Sequence, residues 1–186
     1  MKKNKIFILM ILFVATLIPM FTACTKNSKD ELKNYEKAIK ESIKNATSME
    51  TTLTTTDQDV VVYKYVKSIT FLENNSAYVS TDVSSLDKSF ELSTKTTSET
   101  IDNVNKNEIQ KISLSKKYFN NYILENQNFV GEISQDNMKN IFNYDIKIKD
   151  VAKLIITFEE EKVIKIECTY ETESGKQAVL TTNYEY

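Results

Sequence analysis

The residues of this chain that could do chemistry are cysteines, carboxylates and tyrosines, because histidine, arginine and tryptophan are absent. Histidine is the usual catalytic base at neutral pH, so Ser-His-Asp and Cys-His arrangements and most zinc sites are excluded. Without arginine there is also no bidentate clamp for phosphate or carboxylate groups. We therefore expect a protein that is not an enzyme and needs no cofactor. Chemistry by carboxylates alone, as in glycosidases, stays open because Asp and Glu together number 26.

Two acidic clusters could attract a cation. Residues 57–59 (Asp-Gln-Asp) lack the further ligands of a calcium loop and the glycine at its sixth position. Residues 159–161 (Glu-Glu-Glu) lie between two apolar runs, as expected of a solvated hairpin tip. Both clusters are therefore interpreted as turns, and the sequence predicts no metal site.

Cys168 is a candidate reactive thiol. It alternates with Ile166 and Tyr170 along a predicted strand. This spacing favours a small, buried hydrophobic side chain over a reactive group.

Eight aromatic residues could line an apolar cavity, although filling a core is their commoner role. The set consists of Tyr63, Tyr65, Phe71, Phe90, Tyr118, Tyr122, Phe142 and Tyr144. The sequence leaves both alternatives open and assigns no ligand-binding residue.

The first 24 residues have the pattern of an export signal. Lysines at positions 2, 3 and 5 precede an apolar run over residues 6–18, and Pro19 follows it. The run is shorter than the roughly 20 apolar residues that a spanning helix needs. Phe21, Thr22 and Ala23 then lead to Cys24, whose thiol can be alkylated by a diacylglyceryl group. An ordinary secretory signal or an uncleaved anchor, with Cys24 incidental, is the alternative.

This segment resembles the lipobox of bacterial lipoproteins, usually Leu-Ala-Gly-Cys, with Phe21 in place of the aliphatic residue. The resemblance implies a signal peptide at 1–23, cleaved between Ala23 and Cys24, and a palmitate-type lipid anchor on Cys24. Residues 24–29 would be the lipidated tether, and 30–186 a single extracytoplasmic domain. Lys, Asn and Ile are abundant while Arg is absent, which is typical of an AT-rich genome and favours a low-GC Gram-positive bacterium. The expected location is the outer face of the cell membrane.

The predicted body is long enough to bury about two-thirds of its unfolded surface. Cleavage would remove three lysines and make it more acidic than the whole chain, whose formal net charge is −2. An acidic body without a basic stripe argues against binding nucleic acid.

The body begins with a predicted amphipathic helix from Ser28 to about Ala46, with Ser28 and Glu31 forming a capping box. Its apolar positions are spaced by three and four residues. They are Leu32, Tyr35, Ile39, Ile43 and Ala46. A helix packed on a sheet is favoured over a helix lying on a membrane surface, since the stripe is narrow.

From residue 49 the period changes to two, which predicts strands. They are expected near 51–56, 60–73, 77–83, 90–96, 109–115, 118–129, 154–158, 163–170 and 178–186, with a short helix carrying Met138, Ile141 and Phe142. Segments 109–115 and 118–129 are expected to form a hairpin. Connections this short favour antiparallel pairing. The predicted fold class is α+β, with a curved antiparallel sheet packed on an N-terminal helix and a short second helix.

This order of elements resembles the LolA/LppX-like lipoproteins, which fold as an open half-barrel around a helical plug. The resemblance implies a concave face that binds acyl chains or other amphiphiles. The expected function is therefore non-catalytic binding by a membrane-anchored protein, with a lipid as a possible partner. A module that binds another surface protein and takes no small ligand is the alternative.

Overall fold

The computed structural model describes residues 28–87, 89–125, 128–142 and 146–186. The predicted signal peptide, the cleavage site at Ala23 and Cys24, and Tyr144 lie outside the described residues. The side chains of Ser28 and Glu31, on which the predicted capping box depends, lie outside them as well. Those predictions therefore stay predictions.

Within the described ranges, nine strands form one antiparallel sheet, and three helices accompany it. The helices are α1 (Ser28–Asn45), α2 (Lys106–Ile109) and α3 (Met138–Phe142). The strands are β1 (Ser48–Asp57), β2 (Val60–Phe71), β3 (Ala77–Leu86), β4 (Leu92–Ile101), β5 (Phe119–Glu125), β6 (Asn128–Ser134), β7 (Ile148–Glu159), β8 (Lys162–Thr172) and β9 (Gln177–Glu185). The predicted α+β class is confirmed.

The sheet consists of two meanders that meet in its middle. Its order is β4-β3-β2-β1-β9-β8-β7-β6-β5, so each meander runs from the centre to one edge. The edge strands β4 and β5 lie at opposite ends, and the sheet is open. Short connections explain the antiparallel pairing, because a parallel pair would need a crossover of a dozen or more residues.

One face of the sheet, called the inner face below, carries most of the core. In β1 it presents Met49, Thr51 and Leu53, and the register continues it across all nine strands. Helix α1 buries Leu32 and Ile39 as predicted. Its Ser42 Oγ accepts a hydrogen bond from the backbone N–H of Val163 at 2.9 Å, which joins the helix to the start of β8. The preference for a helix packed on the sheet is confirmed.

Residues 102–118, called the crossing segment below, connect the two edges of the sheet by passing over the inner face. The N–H of Val104 donates to the carbonyl of Asn75 at 2.6 Å, beside β3. Further along, the N–H of Ser113 donates to the carbonyl of Ile141 at 3.1 Å, on α3. Between these two points the segment contains α2 and buries Ile112 and Leu114.

The predicted hairpin between 109–115 and 118–129 is wrong. Residues 110–115 belong to no strand, and the hairpin in this region pairs β5 with β6. The alternation of Ile112 and Leu114 is real, but it buries these side chains under other elements without a strand partner. An extended segment and a strand give the same period of two, so the pattern does not distinguish them.

Candidate functional site

The two acidic clusters lie in two-residue hairpin turns, as predicted. Asp57 pairs with Val60 across the first turn, and Glu159 pairs with Lys162 across the second. The central residues of both turns have positive φ, between 47° and 66°, which is the backbone of a type I′ turn. Within the described part of the chain, no group of three or more His, Cys, Asp or Glu residues could hold a metal ion.

Cys168 is buried on the inner face between Leu154 and Leu180, so the prediction of a buried side chain is confirmed. Burial raises the pKa of its thiol to about 12. Burial, with a smaller contribution from Cys168, also raises the pKa of Tyr170 to about 12. A thiol that stays protonated at neutral pH is a poor nucleophile, and Cys168 therefore serves as core.

A buried polar cluster fixes the crossing segment to the middle of the sheet. The hydroxyl of Tyr184 donates to Gln110 Oε1, and Gln110 Nε2 donates to Thr182 Oγ1 at 3.4 Å. Thr182 also shares a hydrogen bond of 3.1 Å with Thr51. Sequence reasoning missed Gln110, because one glutamine in a polar stretch carries no periodic signal. Its contacts indicate a role in positioning the segment.

Part of the aromatic set packs in the core, and part of it is half-buried or exposed. Phe142 is fully buried, and Phe71, Tyr118 and Tyr122 pack against the core. Phe90 has 84% of its surface exposed in the turn before β4. Tyr63 and Tyr65 are half-buried on the inner face.

An apolar row crosses the inner face and becomes more exposed toward β3. From the middle of the sheet outward it runs through Cys168, Leu180, Leu53, Tyr65 and Val83, each paired with the next. Cys168 has 0% and Leu180 8% of its surface exposed, while the last three are half-buried. The β1–β3 part of this row is therefore an open apolar surface.

A cavity of about 270 Å³ lies between the crossing segment and the inner face of β2, β3 and β4. Its floor is Ile69, Ala77 and Val79, which are all buried. Lys67 also lines it, and in the register Lys67 separates Ile69 from Tyr65. The cavity and the apolar row therefore adjoin, with the ammonium group of Lys67 between them, and Glu108 of the crossing segment also lines the cavity. We call the two together the inner groove.

The inner groove joins a cavity to an open apolar row on one face of the sheet. Its cavity lies just below the range of about 300–1,000 Å³ that is usual for ligand pockets. The open row beside it adds further apolar contact area. Such an arrangement can hold an apolar chain in the groove and an anionic or polar head at Lys67. It contains no paired nucleophile and base.

Two larger clefts lie elsewhere on the described surface. One of about 580 Å³ lies between α1 and the β7–β8 turn, and Lys37, Glu41 and Glu161 line part of it. The other, of about 590 Å³, lies beside the β2–β3 turn, and Lys44 and Lys106 are among its lining residues. The first cleft also has an apolar wall, formed by Tyr35, Ala38 and Phe158. Neither cleft is lined by a residue that neighbours the open apolar row of the inner face.

No known family profile matches the chain, and no curated protein sequence is similar to it. Among solved structures, LprF from Mycobacterium bovis aligns with a TM-score of 0.46 and 9% identity, over 83% of this chain and 93% of that one. A redesigned β-barrel, mFAP1, aligns with a TM-score of 0.26 and 8% identity, over 81% and 98%. A dehydratase domain from a curacin polyketide synthase gives 0.20 and 11%, over 75% and 74%. Likenesses of this size indicate neither a shared family nor a shared function.

None of the helices in the described part of the chain is both long enough and apolar enough to cross a bilayer.

Proposed function

We propose that this chain is a lipid-anchored protein of the bacterial cell envelope whose inner groove binds an amphiphile without chemical change. The observation that carries the proposal is the inner groove, because an open apolar surface beside a cavity on one face of a sheet is unusual unless something covers it. Lys67 and Glu108 both line the cavity and offer the head of an amphiphile one charge of each sign.

The anchor belongs to the same proposal. Cleavage between Ala23 and Cys24, followed by lipidation of Cys24, would place the folded body within about 20 Å of the outer membrane surface, since six tether residues span no more. Two or more acyl chains hold a protein on a bilayer durably, whereas one does not. A body held this close reaches amphiphiles that leave the bilayer.

The anchor is tested by labelling cells with palmitate. Cys24→Ser should take up no label, because the oxygen of serine does not replace the thiol in this alkylation. Cys168→Ala is the matched control, since it removes the other cysteine, and it should keep the label. Label in Cys24→Ser equal to that of the wild type would refute the anchor.

Ligand binding is tested on residues 25–186, prepared without detergent, by native mass spectrometry and by titration with a fluorescent fatty acid. Val83→Lys puts a charge on the open row and should weaken binding at least about tenfold, as expected from burying an unpaired charge against an acyl chain. Val66→Lys is the matched control: Val66 is also half-buried but lies on the outer face, opposite Asp82. Equal affinities of the two variants, or no bound probe in the wild type, would refute the groove as the site.

Binding of another protein is the second candidate function. The observation that favours it is β4, an edge strand whose ten residues are all exposed. A partner that occupies β4 would leave the inner groove empty, so the Val83→Lys variant separates the two candidates.

A further inference from the structure

We infer that β4 is a self-pairing edge, through which two copies of this chain join their sheets antiparallel about a two-fold axis at Thr97. The inference is independent of the amphiphile proposal, because it uses the edge of the sheet and not the inner groove.

The two edges of the sheet differ in a way that points to β4. Strand β4 pairs with β3 over all ten residues without a register shift, whereas β5 has seven residues and an irregularity between Phe119 and Asn121. Short and irregular edges are the usual protection against unwanted pairing. Strand β4 is neither short nor irregular, and its backbone groups on the side away from β3 form a regular row of donors and acceptors. Its remaining protection is the pair of inward-pointing charges, Lys95 and Glu99, which oppose most partners but complement a second copy.

The charges of β4 are complementary to those of a second, antiparallel copy of the same strand. On the inner face β4 presents Lys95, Thr97 and Glu99, in that order. When a second β4 runs antiparallel with Thr97 opposite Thr97, each Lys95 lies opposite the partner's Glu99, and each Glu99 opposite the partner's Lys95. Opposite charges at directly facing positions stabilise a strand pair, and like charges destabilise it.

Other registers do not give this match. When the inner faces of both copies lie on one side, the residue that faces a given position can change only in steps of two. Each step moves the centre of the pairing by one residue. A centre at Lys95 would put two ammonium groups against each other, and a centre at Glu99 would do the same with two carboxylates. The intermediate centres leave both charges opposite neutral residues. The two-fold arrangement at Thr97 therefore pairs all four charges.

Within the described residues, neither Lys95 nor Glu99 has an ion-pair partner inside the monomer. Both are exposed. Their charges are thus available to a second copy at no loss of an internal contact. A contact of this kind is self-complementary, as a closed dimer requires.

The test is disulfide crosslinking in membranes of cells that make the full-length chain, read on a non-reducing gel. In the paired state Thr97→Cys puts two thiols at facing positions, where Cα atoms are about 4.5–5.5 Å apart and a disulfide can form. Thr100→Cys is the matched control, because its two copies would lie roughly 20 Å apart along the strands. We expect a crosslinked dimer from Thr97→Cys and little from Thr100→Cys.

Charge exchange tests the register itself. In the Thr97→Cys background, Lys95→Glu should greatly reduce the dimer, because it puts two carboxylates at each facing pair. The double exchange Lys95→Glu with Glu99→Lys should restore it. Both positions are exposed, so circular dichroism and thermal melting should match the parent protein.

Three results would overturn the inference. They are equal crosslinking at residues 97 and 100, failure of the double exchange to restore the dimer, and a crosslinked band whose mass indicates a different protein. The last result would assign β4 to another partner. None of the three affects the fatty-acid titration, so this inference and the proposed function can fail separately.

Discussion

The two halves of the inner face belong to one continuous sheet but differ in how far their side chains are buried. In the β5–β8 half, Phe129, Ile133, Leu154 and Ile156 have no exposed surface. In the β1–β4 half, the corresponding row through Leu53, Tyr65 and Val83 is half-buried, and β4 is exposed along its whole length. The difference cannot come from strand propensity, since both halves pair in regular antiparallel ladders.

The difference comes from the connections. Helix α3 lies between β6 and β7 in the chain. Its buried side chains are all apolar: Met138, Ile141 and Phe142. The connections within the β1–β4 meander are a two-residue turn, a short turn at 73–75 and the link between β3 and β4. They are too short to carry a helix back over the sheet. The β5–β8 half is therefore covered by α3 and α1, while the β1–β4 half depends on the crossing segment or on a bound molecule.

The largest difference between the halves should appear when Leu→Ala is made once in each half, at two positions of the same row. Leu154→Ala removes a fully buried side chain, so it should lower the free energy of unfolding by about 2–5 kcal/mol. Leu53→Ala removes a half-buried side chain, and the loss should be about 1 kcal/mol, because part of its surface already contacts water. Urea unfolding followed by circular dichroism measures both. Equal losses would mean that the β1–β4 half is as tightly packed as the other.

The second effect concerns how the filled half is packed. A Cβ atom added at Gly131 would come within 2.7 Å of Phe119 Cδ1 and 2.9 Å of Phe129 Cε1. Those two rings are in edge contact, with centroids 5.0 Å apart. Gly131→Ala should therefore lower the free energy of unfolding by about 1–3 kcal/mol through overpacking.

A second substitution tests that explanation. Phe119→Leu makes room at the closest contact, so Gly131→Ala should be less harmful in that background than in the wild type. The double-mutant cycle gives the interaction energy between the two sites. Additive losses would show that Gly131 is needed for its backbone and not for the space above it.

The sequence predicted most of the sheet but not what covers it. Strands such as β8 were recognised because Ile166, Cys168 and Tyr170 alternate on one buried face. Segment 109–115 was misassigned, because Ile112 and Leu114 alternate in the same way while lying across the sheet. The pattern also does not tell which aromatic side chains pack against the core. Tyr122 does so, stacked on Phe129, whereas Phe90 alternates in the same way and is 84% exposed. The elements that cover such side chains are distant in the chain.

The smallest effect is a pH dependence to which the buried thiol of the filled half should contribute most. Burial raises the pKa of Cys168 from an ordinary value near 9.0 to about 12, so the unfolded chain releases this proton before the folded one does. The stabilisation is complete below pH 9 and decreases as pH rises toward 12, by about 1 kcal/mol at pH 10. Tyr170 changes in the same direction from a higher starting point. Urea unfolding at pH 8 and pH 10 measures the difference.

Two variants assign that pH dependence to one half of the sheet. Cys168→Ala should reduce the difference between pH 8 and pH 10 and leave the smaller parts due to Tyr170, Tyr65 and Tyr186, whose pKa values burial also raises. Val83→Cys, made in the Cys168→Ala background, puts a thiol on the half-buried row, where water reaches it in the folded state. Its proton is then released at similar pH in both states, and the difference should not return. A restored difference would mean that Val83 is as well covered as Cys168, and the inner groove would have no open side.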